Sequence, residues 1–315
     1  MGSISVHLAT TWKPIRLKLL IIFNPNAAFG RALKKLADIK AKFVSQGIKT
    51  TFMPTTHPGH GKELVANADL SGFDGLVAAG GDGTVFEVLN GLYTHPRSAR
   101  IPLGLLPIGT GNAFARELGL QPGAWPDAID ILMQGHTRQV DVASVQSADK
   151  SYYFLNIVLM GFSVDASLTG HKLKFLGERS YTLGTLWQVL KLKSYPLEIQ
   201  IDDRVVRSDN IFIAISNSRF VGTHFLIAPG AVIDDGLLDV TILRKLKRGR
   251  LLKLFPTIYS GRHVEYDEIS TYKATRINIC SPEAMLLGPD GEFCGHSPAD
   301  IRCLPRDLTI FSNLR

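Results

Sequence analysis

The stretch Gly80-Gly81-Asp82-Gly83-Thr84 concentrates residue types that can do chemistry. An apolar run, Leu76-Val77-Ala78-Ala79, precedes it and reads as a buried strand. Val85, Val88, Leu89 and Leu92 follow at i, i+3, i+4 and i+7, one face of a helix. Strand, glycine loop, helix start is a geometry for holding phosphate. Glycines let the main chain approach an anion, and the free N–H groups of a helix start, aligned with its dipole, stabilise negative charge. Asp82 adds a demand of its own. A carboxylate facing a phosphate makes sense if it holds a magnesium ion or takes a proton, so the loop is expected to be catalytic. Thr84 or Asp82 can cap the helix.

The same logic recurs at Ile101 to Leu106, an apolar strand ending in Pro107-Ile108-Gly109-Thr110-Gly111-Asn112 before a helix start at Ala113. Upstream, Leu17 to Phe23 is a strand, Asn24 to Gly30 a turn, and Arg31 to Gln46 a helix with Leu33, Leu36, Ala37 and Val44 on its expected buried face. A short strand, Ile48 to Met53, leads into Thr55-Thr56-His57-Pro58-Gly59-His60. Alternating strands and helices imply a parallel, doubly wound sheet with its ligands at the carboxyl ends of the strands. No G-x-G-x-x-G or G-x-x-x-x-G-K-[ST] is completed, which sets aside two common nucleotide fingerprints.

From Thr137 the pattern changes to short alternating strands, as in Leu197-Glu198-Ile199-Gln200-Ile201, and predicts an antiparallel β domain. Helical interruptions are expected over Tyr181 to Lys193 and Arg244 to Leu254. The second is basic and leucine-rich, suited either to an anionic membrane surface or to a solvated face of a packing helix. Asp290-Gly291 is a hairpin signal, which would project Glu292 from the start of a strand.

A chain of 315 residues accommodates two cores, and 45% hydrophobic with 20% charged residues is a globular composition. The three cysteines lack metal spacing and are odd in number, which fits a reducing cytoplasm and neither a zinc site nor a disulfide framework. A net charge of +7 points to an anionic partner. Nucleic acid is not expected, since no recognition motif or interleaved aromatic and basic run is present. No apolar stretch reaches the roughly 20 residues of a membrane span, so any membrane contact is expected to be peripheral.

Taken together, Asn24-Pro25, Thr55 before Gly59, Gly80 to Thr84 with Glu87, Asn90 and Gly91, Leu106-Pro107-x-Gly109-Thr110-Gly111-Asn112, Asp234-Asp235-Gly236 and Asp290-Gly291-Glu292 resemble the diacylglycerol kinase and sphingosine kinase superfamily, especially its soluble bacterial lipid kinases. The resemblance runs over residues 17 to 313. It implies an α/β ATP-binding domain over residues 15–138, completed by 304–315, and a β-sandwich lipid domain over 139–303, with catalysis between them. Asn24, Pro25, Asn26, Gly30, Thr55, Gly80, Gly81, Asp82, Gly83, Thr84, Glu87, Gly109, Thr110 and Asn112 would bind ATP. Asp235, helped by backbone near Val232 and Leu237, would hold magnesium; Glu292 or Asp82 would take the proton, and Asp165 would face the lipid headgroup.

Three positions depart from the common pattern: Phe86 stands where relatives carry Asn, Ala113 where many diacylglycerol kinases carry Asp, and Ala27-Ala28-Phe29 lengthens the first loop. Asn112-Ala113, Leu176-Gly177-Glu178 and Thr182-Leu183-Gly184-Thr185 are closer to sphingosine kinases. The expected activity is ATP- and magnesium-dependent phosphorylation of a lipid hydroxyl at a membrane surface, diacylglycerol first and a sphingoid base second, with a homodimer compatible. NAD kinases share the glycine stretch but carry a GSTAY-like stretch that is absent here. A non-catalytic lipid-binding relative is the reading from another class.

Overall fold

The computed structural model describes residues 17–121, 123–172, 189 and 191–314. The expected helix over 181–193 therefore falls mostly outside the described residues, and so do Leu176-Gly177-Glu178 and Thr182 to Thr185.

Four parallel strands, β1 (Lys18–Phe23), β2 (Lys49–Pro54), β3 (Gly75–Gly80) and β4 (Leu103–Pro107), are ordered β2-β1-β3-β4. Central β3 is buried along its whole length, as a continuous apolar run in a covered parallel sheet requires. The helices between them are α1 (Arg31–Ser45), α2 (His60–Ala66), α3 (Asp82–Leu92), α4 (Ala113–Glu117) and α5 (Trp125–Gln134). α1 packs against α5, and α2 against α3, where Gly91 lets the helices approach: a Cβ there would sit 2.7 Å from the Lys62 carbonyl. Because the strands are parallel, the loops after all four emerge along one edge, as the alternation predicts.

The buried face of α1 differs from the expectation. Ala32, Ile39 and Phe43 face the core, while Leu33 and Val44 are 57% and 76% exposed. Both sets fall near helical spacing, but only the stripe through Ile39 and Phe43 covers the sheet with large side chains, and Phe43 stacks edge-on against Phe52 of β2.

The second half is antiparallel. Its strands are β5 (Thr137–Ser147), β6 (Ser151–Phe154), β7 (Ile157–Gly161), β8 (Tyr195–Ile201), β9 (Arg204–Ser216), the short β10 (Phe220–Val221) and β11 (Phe225–Leu226), β12 (Leu238–Arg244), β13 (Ile269–Ala274), β14 (Arg276–Cys280), β15 (Gly288–Pro289) and β16 (Ala299–Phe311). Helix α6 (Phe162–Lys172) follows β7, and α7 (Arg248–Leu254) follows β12. β5 and β16 pair along their length, with a register shift between Leu304 and Leu308, and Ile310 of β16 reaches β4 of the first half at Leu103. One sheet thus continues from β13 to β2, and the second core forms on β5, β7 to β9, β12, β14 and the first part of β16.

Candidate active site

The two glycine loops are pressed together main chain to main chain. A Cβ at Gly109 would lie 2.3 Å from the Gly81 Cα, and Gly80 accepts the N–H groups of both Ile108 and Gly109 through its carbonyl. At Gly80 a Cβ would strike Thr84, and at Gly111 it would lie 2.6 Å from Asp82 Oδ2. Each glycine is where it is because a polar group or a second backbone occupies the space that a side chain would need.

The polar side chains then tie neighbouring loops rather than their own. The N-cap of α3 is Gly81, with no side-chain cap, so neither Thr84 nor Asp82 caps that helix. Asp82 Oδ1 instead accepts the Ala113 N–H at 2.7 Å, at the start of α4. Thr84 Oγ1 accepts from Asn24 Nδ2 at 3.0 Å, joining the loop after β1 to the loop after β3. Glu87 accepts the N–H groups of Gly59 and Gly61 at 2.7 and 2.8 Å, which fastens the loop after β2 to α3. Thr55 is buried beside Phe23, whose carbonyl accepts its N–H. Asn24, Thr55, Gly80 to Thr84, Glu87, Gly109 and Asn112 are therefore one connected set. Thr110 stands exposed at the loop tip, and Pro25, Asn26 and Gly30 line the turn after β1, where Ala28, Phe29 and Gly30 are all left-handed.

Asn112 holds the second loop by donating from Nδ2 to the Gly109 carbonyl at 2.9 Å, yet its Oδ1 is buried without a partner. A buried acceptor left open costs about 1–3 kcal/mol. It is the kind of atom that a ligand hydroxyl or a metal-bound water satisfies. Burial pushes the Asp82 carboxyl up to about 6, against the lowering effect of the main-chain N–H groups of α4.

Glu292 arrives from 209 residues downstream of Gly83: a Cβ on Gly83 would sit 2.3 Å from Glu292 Oε1. A carboxylate from the second half therefore lies against the first turn of α3. It does not start a strand. Asp290 and Gly291 form a left-handed turn, Glu292 N–H closes it onto the Pro289 carbonyl, β15 before it pairs with β7, and its two arms meet at the Leu286–His296 bridge and through Leu287 with Gly295 and Cys294. Beyond this pairing the turn is positioned by the side chain of Asp290, a residue whose sequence context suggests only a turn former. Its buried carboxylate accepts the N–H groups of Leu155, Asn156 and Ile157 at 3.2, 3.1 and 2.9 Å, between β6 and β7. Burial, with Asp82 nearby, raises its carboxyl to about 7.

Further contacts cross between the halves beside this site. Glu117 of α4 accepts from Arg219 Nε at 2.9 Å and from the Arg219 N–H at 3.0 Å, and Arg116 donates to the Thr223 carbonyl, holding the β10–β11 hairpin near the Thr110-Gly111 loop. Asn90 exchanges hydrogen bonds with the main chain of Tyr153. Phe86 packs edge-on against Tyr152, a contact no Asn could make.

Asp165 lies in the first turn of α6 and accepts a short hydrogen bond from the Tyr195 hydroxyl. Burial and this carboxylate push the Tyr195 phenol well above its ordinary value. Both line a cleft of about 540 Å³ bounded by Ser281 to Leu286, the irregular segment between β14 and the Glu292 turn. Phe162 lines a separate apolar cavity of about 90 Å³, together with Leu159, Phe212, Phe225, Leu251 and Phe255.

Asp235 is separate from the glycine loops. Its Oδ2 meets Lys273 Nζ at 2.8 Å and its Oδ1 accepts the Leu237 N–H at 3.0 Å, while Val232 stays partly exposed. Asp141 accepts from the Gly236 and Arg306 N–H groups in the same turn. Its carboxyl is raised by burial, with Asp235 and Asp234 adding to the shift. Among the described residues, Arg138 and Lys273 are the ion-pair partners of the carboxylates at 234, 235 and 239, and Asp141 lies close enough to feel Asp234 and Asp235. An oxygen-rich, net negative turn of this kind fits a hard cation such as magnesium.

Comparison with known proteins gives two family matches that follow each other along the chain. Residues 18–145 match the diacylglycerol kinase catalytic domain, and residues 156–312 match the YegS C-terminal NAD kinase beta sandwich-like domain. A diacylglycerol kinase of Mycobacterium tuberculosis (strain ATCC 25618 / H37Rv) is 30% identical over 296 residues, covering 93% of this chain and 94% of its own. One of Bacillus subtilis (strain 168) is 31% identical over 292 residues, covering 92% and 94%. A solved structure from Bacillus anthracis str. Sterne, provisionally described as a diacylglycerol kinase, superposes with a TM-score of 0.77 at 26% identity, over 95% of this chain and 97% of that one.

Proposed function

This chain belongs to the diacylglycerol kinase family of lipid kinases, and on that premise we propose that it transfers the γ-phosphoryl group of ATP, taken as its magnesium complex, to the hydroxyl of a diacylglycerol-type lipid. The observation that carries the reading is the placement of Glu292 against Gly83, which sets a proton acceptor beside a phosphate-holding loop. ATP would lie along the shared edge, its phosphates facing the main chain of Gly80 to Thr84 and Gly109 to Asn112. Magnesium would neutralise developing charge on the phosphates and, at the Asp235 turn, brace the second half. As the lipid oxygen bonds to phosphorus, the bond from phosphorus to ADP breaks and the hydroxyl proton passes to the Glu292 carboxylate. Asp82 is the other carboxylate within the loop and orders α4 while it faces the same phosphates.

The lipid end follows from Asp165, its cleft and the apolar cavity. A glycerol hydroxyl would lie near Asp165, and the apolar cavity among Phe212, Phe225 and Phe255 is the neighbouring surface suited to hydrocarbon. Asp165 also supports a sphingoid base as the second reading, because a carboxylate pairs with a protonated amine. α7 buries Leu251 and Leu254 and exposes Leu252 beside Lys247, Arg248 and Lys253, a face suited to an anionic membrane, worth about 1 kcal/mol per basic residue near the surface. Among the described residues no helix is long and apolar enough to cross a bilayer.

The test is transfer from labelled ATP, with and without magnesium, to diacylglycerol and sphingoid bases in mixed micelles. Diacylglycerol should be the better acceptor, and Glu292→Gln should lower kcat by about 10² to 10⁴, the usual worth of a positioned base. Full turnover in Glu292→Gln with an inactive Asp82→Asn would move the base to Asp82. Failure to phosphorylate any lipid would overturn the reading.

A further inference from the structure

We infer that the loop after β2 is a binding site for a divalent transition metal of the zinc class, made by His57, His60 and Glu63. One ligand atom from each of these residues lies within 4.8 Å of the others. The imidazoles are stacked, with centroids 4.7 Å apart and planes 18° from parallel.

The partner of the His57 ring suits ligation directly, and that of His60 suits it after a change of tautomer. His57 Nδ1 is 3.0 Å from the Pro58 carbonyl, which can only accept, so Nδ1 carries the hydrogen and Nε2 keeps its lone pair. That lone pair lies 3.8 Å from Glu63 Oε2. His60 Nδ1 is 3.0 Å from Thr56 Oγ1 and 3.1 Å from the Thr56 N–H. Nδ1 accepts the Thr56 N–H in this geometry, so Nε2 carries the ring hydrogen; ligation through Nε2 requires the other tautomer, with Nδ1–H donating to the Thr56 hydroxyl oxygen and the main-chain N–H bond given up to water. A ring nitrogen held by a protein oxygen while the other binds metal is the arrangement that orders histidine ligands.

The scaffold is already formed. His60 and Glu63 sit in the first turn of α2, Gly59 turns the chain at φ 87°, and the Glu87 carboxylate pins Gly59 and Gly61. His57 and Glu63 are more than half exposed, so closing the ligands onto an ion requires surface side chains to rotate and the His60 ring to change tautomer. Two imidazoles, one carboxylate and an open position form a zinc-type set, whereas magnesium takes oxygen ligands. The site is thus chemically distinct from any magnesium bound with nucleotide or at Asp235, and the inference does not rest on the kinase reading.

The test uses the untagged full chain, stripped with a chelator and titrated with Zn²⁺ by calorimetry in excess Mg²⁺, with melting followed in parallel. One saturable site and a raised melting temperature are expected. Loss of an outer-shell partner commonly weakens metal binding about 10- to 100-fold, so His57→Ala, which removes a direct ligand, should weaken it by at least 100-fold. The stripped variant should melt with the stripped parent and keep its basal turnover. No saturable binding, displacement of Zn²⁺ by Mg²⁺, or binding that survives in a His57→Ala, Glu63→Gln double variant would each overturn the inference.

Discussion

The two walls of the site are held by different physics. On the glycine-loop side, position comes from main chain packed on main chain within one small region, with Gly81 against Gly109 and Asp82 against Gly111. On the opposite wall the turn carrying Glu292 hangs from the two-residue strand β15, paired with β7, and is fixed beyond that pairing by one buried carboxylate, Asp290, holding three N–H groups. A wall made of backbone contacts tolerates no added atom, whereas a wall made of one side chain depends on that side chain's charge state. The contrast predicts that substitutions will separate rate from stability differently on the two sides.

The largest effect is expected where the walls touch. In Gly83→Ala the new methyl meets the end of a flexible side chain, Glu292, not backbone. Gly83 lies in the first turn of α3 with no left-handed strain, so Ala is tolerated by the helix, and stability should hold or rise slightly. Glu292 must swing away. Turnover should then fall by about 10² to 10⁴, matching Glu292→Gln. A Gly83→Ala enzyme with native kcat would break the assignment of Glu292 to this position.

Gly109→Ala sharpens the contrast from the other side. Its methyl would meet the Gly81 Cα and N, which cannot rotate away. The two loops must part, at the roughly 1–3 kcal/mol typical of overpacking, so both melting temperature and ATP affinity should drop. Activity lost with an unchanged melting temperature would contradict the backbone account.

This division also explains what the sequence made legible. Strand–glycine–helix units are local, so the parallel half, its loops and their shared edge could be read from consecutive residues. Asp290 looked like a hairpin former because the N–H groups it holds are more than 130 residues away. Asp82 and Thr84 looked like caps of α3 for the converse reason: local reading assigns a polar side chain to the nearest N–H, and here the packed loops offer better-placed partners, Ala113 N–H and Asn24 Nδ2. Leu33 and Val44 misled because apolar identity alone does not say which stripe of α1 meets the sheet.

Asp290→Asn tests the single-side-chain wall with a pH dependence. If the amide oxygen keeps Asn156 and Ile157, its NH₂ faces the Leu155 N–H, leaving a buried donor open at about 1–3 kcal/mol. The parent has the opposite weakness. Its Asp290 carboxyl, ordinarily near 3.8, is raised to about 7 when folded, so its protonation stabilises the fold fully below about pH 4, and that stabilisation is lost as pH rises through 7. The advantage of the parent over Asp290→Asn, measured as a difference in melting temperature, should therefore be largest near pH 4 and shrink towards pH 8. A difference that is flat or grows with pH would mean that the carboxylate is comfortably charged in its cage.

The smallest effect is expected at the contact that joins the walls from outside, Glu117 with Arg219. Glu117 is nearly buried, but Arg219 is about two-fifths exposed, so water screens much of the attraction. In Arg219→Lys the charge remains, and so does the main-chain N–H bond to Glu117 Oε2 at 3.0 Å; what disappears is the Nε bond shared between the two carboxylate oxygens. The loss should be less than about 1 kcal/mol in stability. Its kinetic trace should be more informative, because Glu117 belongs to α4, whose first N–H holds Asp82. A looser α4 lets Asp82 and the Thr110-Gly111 loop drift together, so KM for ATP should rise a few-fold while kcat at saturating ATP stays close to that of the parent. If kcat fell and KM did not, the β10–β11 hairpin would be steering the lipid side, and the two walls would be coupled through Arg219 rather than merely held near each other.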